Sequence, residues 1–497
     1  QIGVRADFSK ATLLQRNAYG VNNEFIHTPY TPGFENYKKA YRELGSPAFR
    51  YPAGTGANFI NLATGFAEGW EGIDAAMTAR LNDFQKALKQ SGKGRTGIDI
   101  QDFIQFMKEE KAACSFVVNV TSAGIDDNRK VLTRIKNSGV VLNHFELGNE
   151  LYYSSYRSAF ATAADYIARA KEAAAMIRSI FPAAKIAVCV NPDYFTREVF
   201  LEAPPEKGNR LEKWYRALRQ EQFYDAVAVH MYANTGMDGK VKKKDFLPFR
   251  TAYEFAVSHA DSRAQASFDR MKADFPGKEV WITEYHVGGF SGDARQYRLR
   301  YTYLGGLYCA DFLLKILANP SITLSSWHSM VQLLDYERPA NGSLMNEHTP
   351  FGFKVNYYFL KMFKEPVLNS THYIPVTLSN VARYQGAGSF KGDYSEVDAG
   401  IFYNTETGAG YLMLLNKMGS RYCLSKREAE KALQRSILSC TALCPDTTLS
   451  LDKALASEKA KSAGSVKPKE GLFELKPYSV YLLKLGLPGD RIKQAGR

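Results

Sequence analysis

The chain reads as an α/β protein, a (β/α)8 TIM barrel followed by a C-terminal antiparallel β-sandwich domain. Three observations predict it. From about residue 16 to 330, short apolar runs of strand character alternate with longer stretches of helical period, as in a parallel barrel. The length of 497 residues suits one such barrel plus a second domain. After about Pro350 the helices give way to short β-rich runs separated by turn residues, as in a sandwich.

The elements follow in order. Ala18–Phe25 is the expected first barrel strand, with Asn23 and Glu24 at its exit. Ile2–Leu14, ahead of it, is expected to pair with the sandwich. Tyr37–Leu44 reads as a helix stopped by Gly45, and Pro47–Tyr51 as the second strand. The small residues of Gly54–Asn58 let backbone approach a ligand closely. No Gly-Lys-Ser/Thr follows them, so they make no phosphate loop. Asn58–Arg95, carrying Trp70 and a helical Ala75–Lys89, is long for a barrel connection and is expected to help wall a cleft.

Ile100, Phe103, Ile104 and Met107 mark a helix over Ile98–Lys111. Ser115–Val120 is the third strand, with Asn119 near its exit, and Asn128–Ser138 the next helix. Val140–Leu147 is the fourth strand, and Tyr152, Tyr153 and Tyr156 follow it closely. The Ala-rich Ala161–Ile180 is helical. Lys185–Val190 is the fifth strand, with Asn191-Pro192-Asp193 at its exit, and Trp214–Gln220 belongs to a helix. Ala226–Tyr232 and Lys278–Glu284 are the sixth and seventh strands, with a helix over Arg263–Phe275 between them. A long helix over Arg295–Ala318 leads to the eighth strand, Ile322–His328, and Tyr357–Phe363 closes the barrel. Sandwich strands are expected at Val381–Tyr384, Glu396–Tyr403, Gly410–Leu415, Leu472–Leu475 and Val480–Leu485, with a helical insertion at Ser425–Arg435. The domain reading is therefore residues 16–365 for the barrel, 1–15 plus 366–487 for the sandwich, and a frayed polar tail over 488–497.

Composition narrows the function classes. Hydrophobic residues make up 45% of the chain, enough for a full core, and no stretch is long and apolar enough to span a membrane. The net charge of +13 is scattered, with runs only at Lys242–Lys244 and Lys459–Lys469. It reads as a solvated basic surface or as attraction to an acidic polysaccharide. No basic–aromatic module of a nucleic-acid binder is present. Cys114, Cys189 and Cys309 sit in apolar contexts and read as buried thiols. Cys423, Cys440 and Cys444 cluster near the C-terminus, and two of them have the spacing to pair. The eight His include no His-x-x-x-His pair and the carboxylates do not cluster as for calcium, so neither a metal nor another cofactor is expected. No Gly-x-Ser-x-Gly elbow supports serine-hydrolase chemistry. The chain begins at Gln1 rather than Met, consistent with removal of a leader.

The chemistry concentrates at two strand ends. His144-Phe145-Glu146-Leu147-Gly148-Asn149-Glu150 and Trp281-Ile282-Thr283-Glu284 each run from a buried strand into a carboxylate. Carboxylates at the C-terminal ends of parallel barrel strands sit where barrel enzymes place their chemistry. Two of them facing each other is what glycosidic bond cleavage needs. Glu146 shares strand parity with Glu150 but lies deeper, and reads as a buried partner of an Arg or of backbone.

These residues carry a resemblance to the clan A glycoside hydrolases, in which a strand-four Asn-Glu supplies the general acid/base and a strand-seven Glu the nucleophile. Within that clan the chain looks most like the α-L-arabinofuranosidase and heparanase-like (endo-β-glucuronidase) branches. Supporting pieces are Phe49-Arg50-Tyr51-Pro52-Ala53-Gly54, where the family's Pro-Gly-Gly is Pro-Ala-Gly, and Val229-His230-Met231-Tyr232. Pro477–Leu483 looks like the last sandwich strand of arabinofuranosidase-type enzymes. The resemblance implies a retaining hydrolase of polysaccharides or oligosaccharides. Glu150 is then the acid/base, which must hold a proton near neutral pH, and Glu284 the nucleophile, which must stay ionised. Asn149 is placed for the sugar 2-hydroxyl. Arg50 is expected to keep Glu284 ionised, with Glu24 as its competing partner, and Tyr232 to donate to Glu284. His230 lines the sugar pocket or is a satisfied core histidine. Trp327 is a sugar platform or barrel packing. Tyr152 and its neighbours stack on sugar or pack the loop. Asn23 and Glu24 bind hydroxyls or cap a loop. A non-catalytic carbohydrate-binding protein on a hydrolase-like barrel is the alternative. A secreted, periplasmic or cell-surface location follows only from the substrate class.

Overall fold

A computed structural model describes residues 1–23, 34–52, 54–70, 82, 98–191, 209–234, 249–288, 299–330, 334–335, 352–385, 392–459 and 462–487. Eight parallel strands close a barrel in chain order: Gly20–Asn22, Ala48–Tyr51, Cys114–Val118, His144–Leu147, Lys185–Cys189, Ala226–Asn234, Glu279–Gly288 and Ile322–Trp327. All eight overlap the expected strands. The sixth and seventh run further than expected, to Asn234 and Gly288, so Glu284 lies inside its strand rather than at its end.

Inward and outward positions alternate along each strand, as the pleat requires. In the second strand Phe49 and Tyr51 pack outward on Phe103 and Phe106 of the helix Ile100–Glu110, which leaves Arg50 facing in. In the sixth, Val227 and Val229 join the outer core, while Ala226 and Ala228 surround Trp281 inside the barrel. Small alanines leave room for that indole, and Ala187 and Leu324 complete the floor. The barrel is therefore plugged below its mouth, and only the layer above can receive a ligand.

One irregularity matters for the site. The sixth and seventh strands pair Ala228 with Trp281 and Val229 with Ile282, then shift so that His230 faces Glu284. Thr283 is the extra residue. Strict alternation from the inward Trp281 would turn Glu284 outward; the bulge turns it in.

The second layer is antiparallel. Its main sheet runs in the order Gly3–Ala6, His372–Ser379, Val397–Tyr403, Gly410–Asn416, Ser479–Leu485, Ile437–Leu443 and Gly464–Ser465, with Thr12–Leu13 also on His372–Ser379. Tyr422–Ser425 and Leu472–Leu475 form a separate pair. The segment ahead of the barrel thus pairs with the C-terminal region, as the sequence led us to expect. The strands His372–Ser379 and Ile437–Leu443 were not anticipated. The helical insertion lies at Lys426–Leu433.

The helix Tyr303–Ala318 is buried on nearly every side. It lies between barrel and sandwich, so it needs no polar face. Helices Phe249–Ser258 and Ala264–Asp274 flank it, joined through a π-type turn at His259–Arg263. All six cysteines are free thiols, with Cys114, Cys189 and Cys309 buried. Among the described residues no helix is long and apolar enough to cross a membrane. The expected helix Ala75–Lys89, the Lys242–Lys244 run and the tail 488–497 lie outside the described residues.

Candidate active site

The site is built on a buried guanidinium. Arg50 is 0% exposed, and such a charge requires partners. Its Nε donates to both oxygens of Glu146, at 3.0 and 3.1 Å. Nη1 donates to Glu284 Oε1 at 2.7 Å and Nη2 to Asn149 Oδ1 at 2.7 Å. Nη1 also reaches Asn22 Oδ1 at 3.4 Å. Ser115 Oγ donates to Glu146 Oε1 at 2.7 Å. The planar fork therefore fixes three side chains at once, two from the fourth strand and its exit and one from the seventh strand. Arg50 reaches Glu284, the partner expected from the sequence, and is itself fully enclosed, so it does not line a sugar-contacting surface. Glu146 is its structural counter-ion.

Above this layer sit the two carboxylates. Glu284 is 7% exposed, and Tyr232 donates its hydroxyl to Glu284 Oε2 at 2.5 Å. His230 Nδ1 lies 2.8 Å from Glu150 Oε1 and 3.5 Å from Glu284 Oε2. His328 Nδ1 lies 4.0 Å from Glu284 Oε2. Burial alone would push the Glu284 carboxyl up. The His230 and His328 imidazoles, the Arg50 guanidinium and the Tyr232 hydroxyl outweigh it and hold that carboxyl far below the ordinary range. Burial likewise works against charge on His230, yet Glu284 and Glu150 keep its pKa above the usual 6.5. The Tyr232 phenol is pushed well up, first by burial and then by the adjacent Glu284, so it stays a donor.

The loop after the fourth strand has unusual backbone. Gly148 has φ +79°, and a Cβ there would meet Leu151 Cδ1 at 2.3 Å. Glu150 itself has φ +50°, a region that non-glycine residues adopt at some cost. Gly54 is equally constrained by space: a Cβ on it would approach Glu284 Oε1 to 2.8 Å. The small-residue loop therefore does let backbone come close, and what it approaches is the carboxylate.

The remaining expected residues divide. Asn149 is 1% exposed, and its Nδ2 has no partner among the described residues. Trp327 is 0% exposed, against Tyr285 and His286. It packs the barrel wall and presents no face as a sugar platform. Tyr152 is buried with its ring edge-on to Tyr153, and Tyr156 is buried as well, so of the three tyrosines only Tyr153 is exposed. Tyr152 is loop packing. Asn23 is buried, and its Oδ1 accepts from the Tyr37 hydroxyl. Glu24 lies outside the described residues. Sequence reading passed over Ser115, His328 and the side chain of Asn58. The signal for Asn58 was faint: a lone amide among glycines and alanine, directly after the strand that carries Arg50.

No protein-family model matches the chain, and no curated protein matches it. Solved structures do. An α-L-arabinofuranosidase from Thermotoga maritima, in complex with arabinose, superposes with a TM-score of 0.63 at 14% identity, over 98% of this chain and 100% of that one. A family 51 α-L-arabinofuranosidase from Bifidobacterium longum gives 0.68 at 13%, over 98% and 99%. A Paenibacillus polymyxa xyloglucanase of glycoside hydrolase family 44 gives 0.57 at 12%, over 98% and 99%. The chain shares their fold. At this level of identity the likeness is one of architecture: a (β/α)8 barrel with a β-sandwich.

Proposed function

We propose that this protein is a retaining glycoside hydrolase acting on a polysaccharide or oligosaccharide. Glu284 is the nucleophile and Glu150 the general acid/base. The observation that carries this reading is the shared imidazole: one nitrogen of His230 lies 2.8 Å from Glu150 and 3.5 Å from Glu284. The two oxygens nearest that nitrogen are therefore at most about 6.3 Å apart, which supports the close spacing of retaining enzymes, roughly 5–5.5 Å, over the roughly 6.5–9.5 Å of inverting ones.

The step follows from the groups. The Glu284 carboxylate attacks the anomeric carbon as the glycosidic C–O bond breaks, and Glu150 gives its proton to the departing oxygen. Water then displaces Glu284, losing a proton to Glu150, which restores both groups. The unpaired Nδ2 of Asn149 is available to the sugar 2-hydroxyl, a contact that strengthens in the transition state. Residues 16–365 form the catalytic unit, and the sandwich built from 1–15 and 366–487 supports it. A secreted, periplasmic or cell-surface location is part of this proposal and rests on the substrate class alone.

The test is turnover on a panel of aryl-glycosides and polysaccharides. Glu284→Ala should lower kcat by more than about 10³-fold with folding intact, and azide should then yield a glycosyl azide of inverted configuration. Glu150→Ala should hurt substrates with poor leaving groups most, with azide rescuing the second step with retention. Wild-type-like turnover by Glu284→Ala would remove it from the mechanism. Sugar binding without any turnover by the natural chain would favour the non-catalytic binding reading.

A further inference from the structure

We infer that Asn58 is a positioning residue, whose side-chain amide sets the backbone that aims Glu150. The inference rests on the acid/base reading of Glu150. Asn58 ends the 3-10 turn Thr55–Asn58 after the second strand and is 0% exposed. Its amide docks on the Asn149 peptide at both ends. Nδ2 donates to Asn149 O at 2.7 Å, and Asn149 N donates to Asn58 Oδ1 at 2.8 Å. Nδ2 also donates to the Tyr156 hydroxyl at 2.9 Å. The amide thus completes, for one residue, the pairing a neighbouring strand would supply.

The position of this clamp gives it its role. The fourth strand ends at Leu147, and Gly148 N donates to Val118 O. Beyond Gly148 no strand neighbour among the described residues holds the chain, and Arg210 grips it only further on, at Leu151 O and Tyr152 O. The next peptide is the one Asn58 grips, and the next residue, Glu150, has φ +50°. A non-glycine residue stays in that region only where its surroundings over-determine it. Downstream, Tyr153 N donates to Glu150 O and Tyr156 N to Tyr153 O. Tyr156 is itself tied to Asn58 and stacked on Phe59, with ring centroids 6.1 Å apart. The turn bearing Glu150 is therefore bracketed on both sides by one amide.

The two functional groups on this turn do not depend on Asn58 equally. The Asn149 side chain has its own anchor in Arg50, at 2.7 Å. The Glu150 carboxylate pairs with His230 alone among the described residues, and its aim is set by the backbone. Loosening the clamp should therefore damage proton donation more than the contact to the sugar hydroxyl. A displacement on the order of 1 Å suffices to cost about 100-fold in such a step.

The experiment compares two substrates, an aryl-glycoside with a highly acidic leaving group and one with a poor one. Asn58→Ala should lower kcat/KM about 100-fold on the poor leaving group and less than about 5-fold on the activated one. Asn58→Asp keeps the shape and the acceptor but loses the donor, and should show the same split. In a Glu150→Ala background, Asn58→Ala should add less than about 2-fold on either substrate, because the two act as a unit. Equal losses on both substrates, or a full further loss in the Glu150→Ala background, would overturn the inference. Thermal melts identify any variant that does not fold. Tyr156→Phe only loosens the amide and should show a smaller split in the same direction; absence of any split in it would count against the inference. Failure of Glu150→Ala itself to discriminate between leaving groups would instead remove the acid/base assignment.

Discussion

The molecule buries charge in two places, and they are organised differently. At the barrel mouth one arginine, Arg50, gathers Glu146, Glu284 and Asn149. Between barrel and sandwich two lysines gather three aspartates. Lys417 Nζ lies 2.9 Å from Asp261, 3.3 Å from Asp311 and 2.5 Å from Asp398. Lys315 Nζ lies 3.1 Å from Asp261 and 2.7 Å from Asp398. Burial pushes the Asp311 carboxyl well up. Lys315 and Lys417 hold the Asp398 carboxyl far down against its own burial. Two ammonium groups thus lie among three carboxylates. The lysines fill the space that a cation bound by the three aspartates would need.

The mouth is held by a directional cation instead. A guanidinium has fixed directions, so Arg50 holds its partners in one geometry. Asn149 is left with an unused donor, and one oxygen of Glu284 looks toward His230, Tyr232 and His328. A point charge such as Lys417 reaches three aspartates at once without fixing their directions. Composition alone does not separate the two regions: both contain buried carboxylates and cations. What separates them is the directionality of the cation that holds them.

The largest effect should come from breaking the mouth. Arg50→Met leaves Glu146 and Glu284 buried without their cation and should destabilise the fold by about 3–5 kcal/mol, read by denaturant unfolding. In whatever fraction folds, the Glu284 carboxyl loses one of the groups holding it down, so its pKa rises. The acidic limb of the kcat/KM profile should then move to higher pH, and an unmoved limb would break the proposed pairing.

The matching change at the interface is Lys417→Met. It removes one of two ammonium groups from the three aspartates and should cost about 3 kcal/mol. The pH dependence of turnover should not move. A shifted profile in Lys417→Met would blur the distinction between the two regions, because it would couple the interface to the mouth.

The smallest effect concerns His230. Its pKa is raised in the folded protein, so its contribution to stability is fully present below the unfolded value of about 6.5. That contribution is lost as pH climbs through the raised folded value. The Tm deficit of His230→Gln relative to wild type should therefore shrink as pH rises above about 6.5. A deficit that does not change with pH would mean that the imidazole is held neutral between the two carboxylates.

The sequence by itself determined the barrel and put Glu150 and Glu284 forward as the candidate pair. Eight apolar runs bounded by helical periods allow few other arrangements, and every barrel strand overlaps its expected range. Phe49-Arg50-Tyr51 shows why: an arginine between two outward aromatics has only the barrel interior to enter. Local pattern also marked Glu146 as a buried partner, since it lies deeper in the strand than Glu150. In the sandwich the pattern was weaker. Ile437–Leu443 carries Ser439, Cys440 and Thr441 in its middle and does not alternate cleanly, and it became a strand through its pairing with Ser479–Leu485. Trp327 and Tyr152 were legible as aromatics near the mouth, but whether a ring is covered depends on chains distant in sequence.

Tertiary structure alone decided the facing of the two carboxylates. Counting by twos from Trp281 sends Glu284 to the outside of the barrel. Only the register shift between the sixth and seventh strands, with Thr283 as the extra residue, brings it opposite His230. Asn22 Nδ2 donates to the displaced Thr283 carbonyl at 2.8 Å, a contact between the first and seventh strands. A bulge is a property of two strands and their neighbours together, stabilised by hydrogen bonds between residues far apart in the chain. Strand parity, read along one segment, contains no term for it.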